Sequence, residues 1–254
     1  MRVVATALAL IATAASTDKH FYCPNENDLG YDGSVNFSEN GYSMIGPGNV
    51  HGFTSFNLLG GYVSFTMNTT KAGAGVNTNL YLISPENGVS ESGYCDIQAN
   101  DTPQCMEMDL VENNGNCLMA STWHVYPDEE EYNETTYGDC DEWGCAVSSV
   151  TPDSFTINAT FSESGWMTTI MNGQVLSDLQ PYPSDEAVAK VAETMNRVGA
   201  AIWSSQWAGW VPGGPGDGCP DFPGDDDTLN NSEFKVEDLV VFGTVVQGPE
   251  PSLC

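Results

Sequence analysis

The 254-residue chain reads as an all-β protein, an antiparallel β-sandwich of jelly-roll type with one short helix. Three observations predict this. Short runs rich in Val, Ile, Tyr, Phe and Thr recur between clusters of Gly, Asn, Pro and Ser. An Asn172-Gly173 pair lies between two such runs and is the strongest hairpin signal in the chain. Helical spacing is confined to one segment. Many short strands divided by turns, without alternating helices, indicate a sandwich rather than β/α units.

Taken in order, residues 1–15 have the character of a secretory signal: Arg2, an apolar run from Val3 to Ala12, then small residues suited to cleavage around Ala14 and Ala15. Residues 16–254 are then expected to form one domain, since all-β sandwiches of this size are commonly single. Strands are predicted over residues 61–67, 79–84, 154–161, 166–171, 198–203 and 234–242, with a further strand-like stretch between Cys105 and Cys117. The helix begins after Ser184, a suitable N-cap followed by the acids Asp185 and Glu186, and runs to about Arg197, where Gly199 can end it. Val188, Val191, Ala192 and Met195 recur at helical spacing, so this helix packs on the sandwich.

The 8 cysteines all follow the signal, and an even number in an oxidising compartment reads as up to four disulfides. Zinc is the weaker reading, because there are only 3 histidines and no paired C-x-x-C. N-x-[ST] sequons at Asn36, Asn68, Asn100, Asn133, Asn158 and Asn230 suit a secreted glycoprotein. The net charge of -29 argues against nucleic acid and membrane surfaces as partners and leaves a neutral polymer compatible. Acidic runs at Asp128-Glu129-Glu130-Glu131 and Asp225-Asp226-Asp227 read as solvated loops; the second lacks the alternating ligand order of a calcium loop. No metal or cofactor is expected.

The stretch richest in chemistry is Glu107-Met-Asp109-Leu-Val-Glu112, three carboxylates in six residues. On a regular strand Glu107 and Asp109 share a face and Glu112 points away. One extra residue near Leu110-Val111, a β-bulge, would bring all three to one surface. Four strand steps separate the outer α-carbons by roughly 13 Å, and two inward-leaning glutamates reduce the carboxyl gap to ~5 Å, the spacing of a retaining glycosidase. One glutamate then attacks the anomeric carbon, the other serves as acid and later base, and Asp109 keeps their ionisation states apart. A solvated acidic edge strand is the competing explanation.

Neighbouring segments resemble glycoside hydrolase family 7, the fungal-type cellulases. Phe56-Asn-Leu-Leu-Gly60 with Val63-Ser-Phe65 is similar to the family's early strand pair, Gly75-Val-Asn77-Thr-Asn-Leu-Tyr81-Leu-Ile-Ser84 to its G-x-N-x-x-L-Y-x-x-S strand, and Gly93-Tyr-Cys95-Asp96-Ile-Gln98 to its G-Y-C-D-x-Q segment. Glu107 to Glu112 falls on its E-M-D-I-W-E strand; residues 198–203 and 234–242 resemble its M-S-L-W and closing strands. The resemblance implies a concanavalin A-like jelly roll, Glu107 as nucleophile, Glu112 as acid/base, Asp109 between them and His124 as the active-site histidine. It further implies that Asn77, Tyr81, Asp96 and Gln98 bond sugar hydroxyls while Trp203 offers a stacking face. Trp207 and Trp210, in the loop beyond, are placed where their rings can reach a sugar.

By the same resemblance Cys95 and Cys105 are paired, and Cys140 and Cys145 should close a small loop; Cys23, Cys117, Cys219 and Cys254 stay open among three pairings. The chain departs from the family at Val111, where Trp is usual, at Asn114 after Asn113, where Ala is usual, and at Ser204-Ser205, which replaces an acidic pair. It is also shorter than typical members, which implies an open cleft. The expected activity is that of a secreted, monomeric, internally cutting β-1,4-glucanase. Competing readings are a family 16-like β-1,3- or mixed-linkage glucanase and a glucan-binding lectin without turnover; packing like charges in a cleft offers a lectin little.

Overall fold

The structure of the protein is a computed structural model and describes residues 18–85, 94–95, 105–124, 140, 144–176, 183–213, 219–220 and 223–254. The signal residues, the Asp128–Glu131 run, Asp96 and Gln98 lie outside the described residues. The strands are β1 His20–Tyr22, β2 Leu29–Ser38, β3 Gly41–Lys71, β4 Asn77–Ile83, β5 Glu107–Asn114 and β6 Leu118–Trp123, then β7 Cys145–Val150, β8 Ser154–Phe161, β9 Met167–Met171, β10 Gln174–Val175, β11 Ala200–Trp207 and β12 Glu233–Gln247. They join in one curled sheet in the order β10-β9-β8-β3-β11-β4-β5-β6-β7, with β2 and β12 also on β3 and β1 on β12. This is the antiparallel jelly-roll sandwich that the sequence predicts.

The 31-residue β3 makes the curl. Its first half pairs with β2 and β11, its second half with β8, so one strand serves both layers. The chain turns between them at Gly60-Gly61: Gly60 takes a left-handed φ of 64°, and a Cβ on Gly61 would lie 2.0 Å from the Phe242 carbonyl oxygen. Strand alternation then fills the interior. On β8, Phe155, Ile157, Ala159 and Phe161 face in, while Ser154, Thr156, Asn158 and Thr160 face out. They meet Leu58, Phe65, Met67, Leu80, Leu82, Met108, Leu110, Val111 and Val241 in one continuous core.

The hairpin forms where the sequence places it. Asn172 and Gly173 both take positive φ, 50° and 81°, between β9 and β10, as a tight turn of matching twist requires. Helix α1, Asp185–Arg197, starts at Ser184, whose Oγ accepts from the Ala187 N–H at 3.1 Å, and ends at Gly199 with φ 74°. It buries Ala187, Val191 and Met195 in the core, with Val188 and Ala192 packed beside them.

One expectation changes and one open question is resolved. The run Asp225-Asp226-Asp227 is not a loop: Asp225 caps a second short helix, α2, Asp226–Asn231, accepting from the Thr228 N–H at 2.8 Å and the Thr228 hydroxyl at 2.7 Å. A six-residue helix has too little periodicity to announce itself, and its acids suit the positive end of the peptide dipoles. The ambiguous cysteines resolve as Cys23–Cys254 and Cys117–Cys219, beside the two expected bonds Cys95–Cys105 and Cys140–Cys145. Among the described residues, no helix is long and apolar enough to cross a membrane.

Candidate active site

Strand β5 carries the bulge. Tyr81 on β4 faces Asp109 and Leu80 faces Val111, so Leu110 is the extra residue; on the other side Asp109 faces Thr122 and Glu112 faces Ala120, again one residue out of step. Leu110 and Val111 consequently both enter the core, and Glu107, Asp109 and Glu112 all line a cleft of about 1900 Å³. The bulge disrupts the ladder at Asp109, and the Ser121 hydroxyl donates to the Asp109 carbonyl at 3.0 Å, itself within 2.6 Å of Thr169 Oγ1.

The three acids meet different surroundings. Asp109 is buried, with Oδ2 2.7 Å from His124 Nε2, and burial raises its carboxyl above the ordinary carboxylate range. Glu112 is raised to about 8, first by burial and then by the charge of Asp109; a hydrogen bond from Asn77 and the nearby His124 pull the other way. Glu107 lies at the opposite end of the strand segment, half-buried and facing the cleft.

Aromatic side chains wall the cleft. Trp203 is buried at its back, with His51 stacked on one side at 4.9 Å and Tyr94 tilted against it at 5.1 Å. Tyr81, Ile83, Tyr94, Trp203 and the Cys95–Cys105 bond pack into a small second core behind this wall. Burial raises the Tyr81 hydroxyl well above its usual value, so it keeps its proton. Trp207 and Trp210 line the cleft with 39% and 50% of their surface open to solvent. Gly209 packs on the Trp207 ring, where a Cβ would meet it at 2.1 Å. Beyond them, Asn114 donates to the carbonyls of Pro212 and Pro220 and accepts from the Gly75 N–H, which anchors the segment following Trp210.

Of the residues singled out in the sequence, Glu107, Asp109, Glu112, Tyr81, His124, Trp203 and Trp207 converge on this cleft. Asn77 does not line it. Fully buried, it donates to Glu112 Oε1 at 2.9 Å, so it holds an acid where a sugar contact was expected. Asn79, Ser205, His51, Tyr94 and the exposed Tyr31 line the cleft unforeseen. Strand parity could have found two of them, because Asn79 lies between Asn77 and Tyr81 at steps of two, and Ser205 between Trp203 and Trp207. No group of three or more metal-ligating side chains occurs among the described residues.

Solved structures share this architecture. The Humicola insolens Cel7B glycosynthase mutants match over 81% of this chain and 76% of theirs, at 17% identity and a TM-score of 0.56. An endoglucanase I complexed with cellobiose matches over 81% and 77%, at 17% identity and 0.55. A GH7 family cellobiohydrolase from Daphnia pulex matches over 81% and 79%, at 13% identity and 0.52. The fold is similar to that of these cellulases, an antiparallel jelly-roll sandwich. No family model and no curated protein matches the chain by sequence, and at such identities the likeness is one of fold.

Proposed function

We propose that the protein is a secreted, retaining endo-β-1,4-glucanase acting on cellulose or a related β-glucan. The observation that carries this reading is the bulged β5, which puts Glu107, Asp109 and Glu112 into one aromatic-walled cleft with Glu112 raised to about 8. An acid that must protonate a leaving oxygen near neutral pH needs such a value. Glu107 attacks the anomeric carbon as the glycosidic C–O bond breaks, and the departing oxygen takes the proton of Glu112, leaving a glycosyl ester on Glu107. Ionised Glu112 then takes a proton from water, whose oxygen displaces Glu107 from the same face the leaving group occupied. Asp109, hydrogen-bonded to His124, sits between the two, and its charge together with burial keeps the proton on Glu112.

Trp207 and Trp210 supply flat apolar faces for pyranose C–H surfaces, whereas Trp203, buried between His51 and Tyr94, braces the wall behind them; Asn79, Ser205 and Gln206 add polar groups along the cleft. The four disulfides suit an oxidising, extracellular compartment. Residues 16–254 act as one domain and as a monomer in this reading. Product analysis on cellulose, mixed-linkage glucan, laminarin and xyloglucan tests it. Oligosaccharides from cellulose or mixed-linkage glucan, with viscosity falling early and the anomeric configuration retained, are expected. Cleavage of laminarin alone would move the protein to β-1,3 chemistry, and binding without products would make it a lectin.

A further inference from the structure

Beneath the cleft, four side chains form a hydrogen-bond chain whose polarity is set by the backbone. The Ser205 N–H and hydroxyl both donate to Asn79 Oδ1, at 2.6 and 3.1 Å. A backbone N–H can only donate, so the oxygen of the Asn79 carboxamide must face it and the NH2 must face the other way. That NH2 donates to Asn77 Oδ1 in a longer 3.4 Å bond, which turns the Asn77 NH2 toward Glu112 Oε1, 2.9 Å away. Asn79 lies directly opposite Glu112 across the β4–β5 ladder, so the chain runs from one side of the acid to its carboxyl.

We propose that Asn79 is a positioning residue for the acid/base: locked by Ser205, it prevents the Asn77 carboxamide from flipping, so that Glu112 Oε1 always accepts and the transferable proton stays on Oε2. This rests on the assignment of Glu112 as acid/base. An unlocked Asn77 could turn its carbonyl toward protonated Glu112 and accept that proton in a hydrogen bond, holding the acid in its neutral form and directing the proton away from a substrate. The lock matters most when Glu112 is protonated, because an ionised carboxylate attracts a donor unaided. The effect also opposes burial and the charge of Asp109, both of which favour the protonated acid. Around the cleft the other titratable groups among the described residues are Glu107 and Asp109 on β5, Tyr81 on β4, His51 on β3, Tyr31 and Asp32 on β2, His124 after β6 and Tyr94; β7 and β11 present Ala146, Ser148, Trp203, Ser205, Gln206 and Trp207, none of which titrates. Asn79 and Ser205 thus tune Glu112 without adding charge.

The test is a carboxyl-carbon NMR titration of the full-length protein labelled at glutamate, the Glu112 signal being identified by its loss in Glu112→Gln. In Asn79→Ala the Glu112 midpoint should move upward by on the order of half a pH unit or more, the size expected when the neutral acid gains one hydrogen bond to a freed Asn77 carbonyl. Asn77→Ala should move it at least as far, and the double variant no further than Asn77→Ala, because Asn79 acts only through Asn77. The alkaline limb of kcat/KM should shift in the same direction. If Asn79→Ala does not fold, Asn79→Leu, which keeps the volume, takes its place. An unmoved or lowered midpoint in the Asn79 variant, or shifts that add in the double, would overturn the proposal. The titration uses the resting protein, so absence of products on every glucan would overturn the enzymatic reading and leave the titration interpretable by itself.

Discussion

The chain holds two runs of three carboxylates with opposite fates. Glu107, Asp109 and Glu112 face a cleft from a bulged central strand, and burial raises Asp109 and Glu112. Asp225, Asp226 and Asp227 are exposed at the start of α2, and hydrogen bonds from Thr228 lower Asp225. Composition is nearly the same in both. What separates them is the backbone: a strand with one extra residue gathers its acids against an apolar core, whereas a helix start spreads them into water and offers N–H groups. In the first run burial makes Asp109 and Glu112 costly to ionise, which suits the proposed chemistry; the second run uses ionised acid to finish a helix.

The sharpest way to break the comparison is Glu107→Gln. With no nucleophile, no glycosyl ester forms, and turnover of every substrate, activated aryl glycosides included, should fall below detection; full activity in this variant would discard the assignment. Glu112→Gln is the next largest change. Hydrolysis of an unactivated glucan should fall roughly 10²–10⁴-fold, the usual contribution of a general acid, while the glycosylation step of an aryl glycoside with a good leaving group is spared. Added azide should then speed deglycosylation and yield a β-glycosyl azide. An α-azide, or no rescue at all, would place the acid/base elsewhere.

The sequence makes the first run legible through an oddity: E-x-D-L-V-E has two adjacent apolar residues where a strand should alternate, and both prove to be core residues flanked by cleft acids. The sandwich, the Asn172-Gly173 turn and α1 were readable for similarly local reasons, a dipeptide that tolerates positive φ and a Ser cap before periodic apolar positions. For Asn77 the sequence suggests a sugar contact, and only the fold shows that its buried amide donates to Glu112. Strand parity places Asn79 and Ser205 on the cleft face, but their bond to each other spans 126 residues of chain and is visible only in the fold. Helix α2 was hidden by its six-residue length.

The two runs should also respond oppositely to pH. Groups raised in the folded state, Asp109 and Glu112, contribute stability that is complete below their unfolded values near 4 and is lost as pH rises toward about 8. Thermal stability should therefore decline between pH 5 and pH 8 in the wild type, at constant ionic strength. Glu112→Gln, which mimics the protonated acid and can still accept from Asn77, should flatten that decline, equalling the wild type near pH 4.5 and exceeding it at pH 8. A decline unchanged by this substitution would mean that its cause lies outside the cleft.

Asp225→Ala provides the opposite arm and the smallest expected effect. Asp225 is depressed in the folded state, so its stabilisation is present above the ordinary carboxylate value near 3.8 and disappears as pH falls through its lower folded value. Removing it takes the acceptor from the Thr228 N–H and hydroxyl while leaving the cleft untouched. At pH 7 the Tm should drop by no more than about 2–4 °C, the scale of one lost helix cap in a chain of this size, with kcat/KM unchanged. As pH falls through the lowered folded value of Asp225 the wild type and the variant should converge, because the protonated carboxyl is a poorer acceptor. Asp225→Asn, which keeps a capping oxygen without the charge, separates the two contributions: recovery of most of the Tm assigns the effect to the hydrogen bonds, and a Tm equal to that of Asp225→Ala assigns it to charge at the helix start.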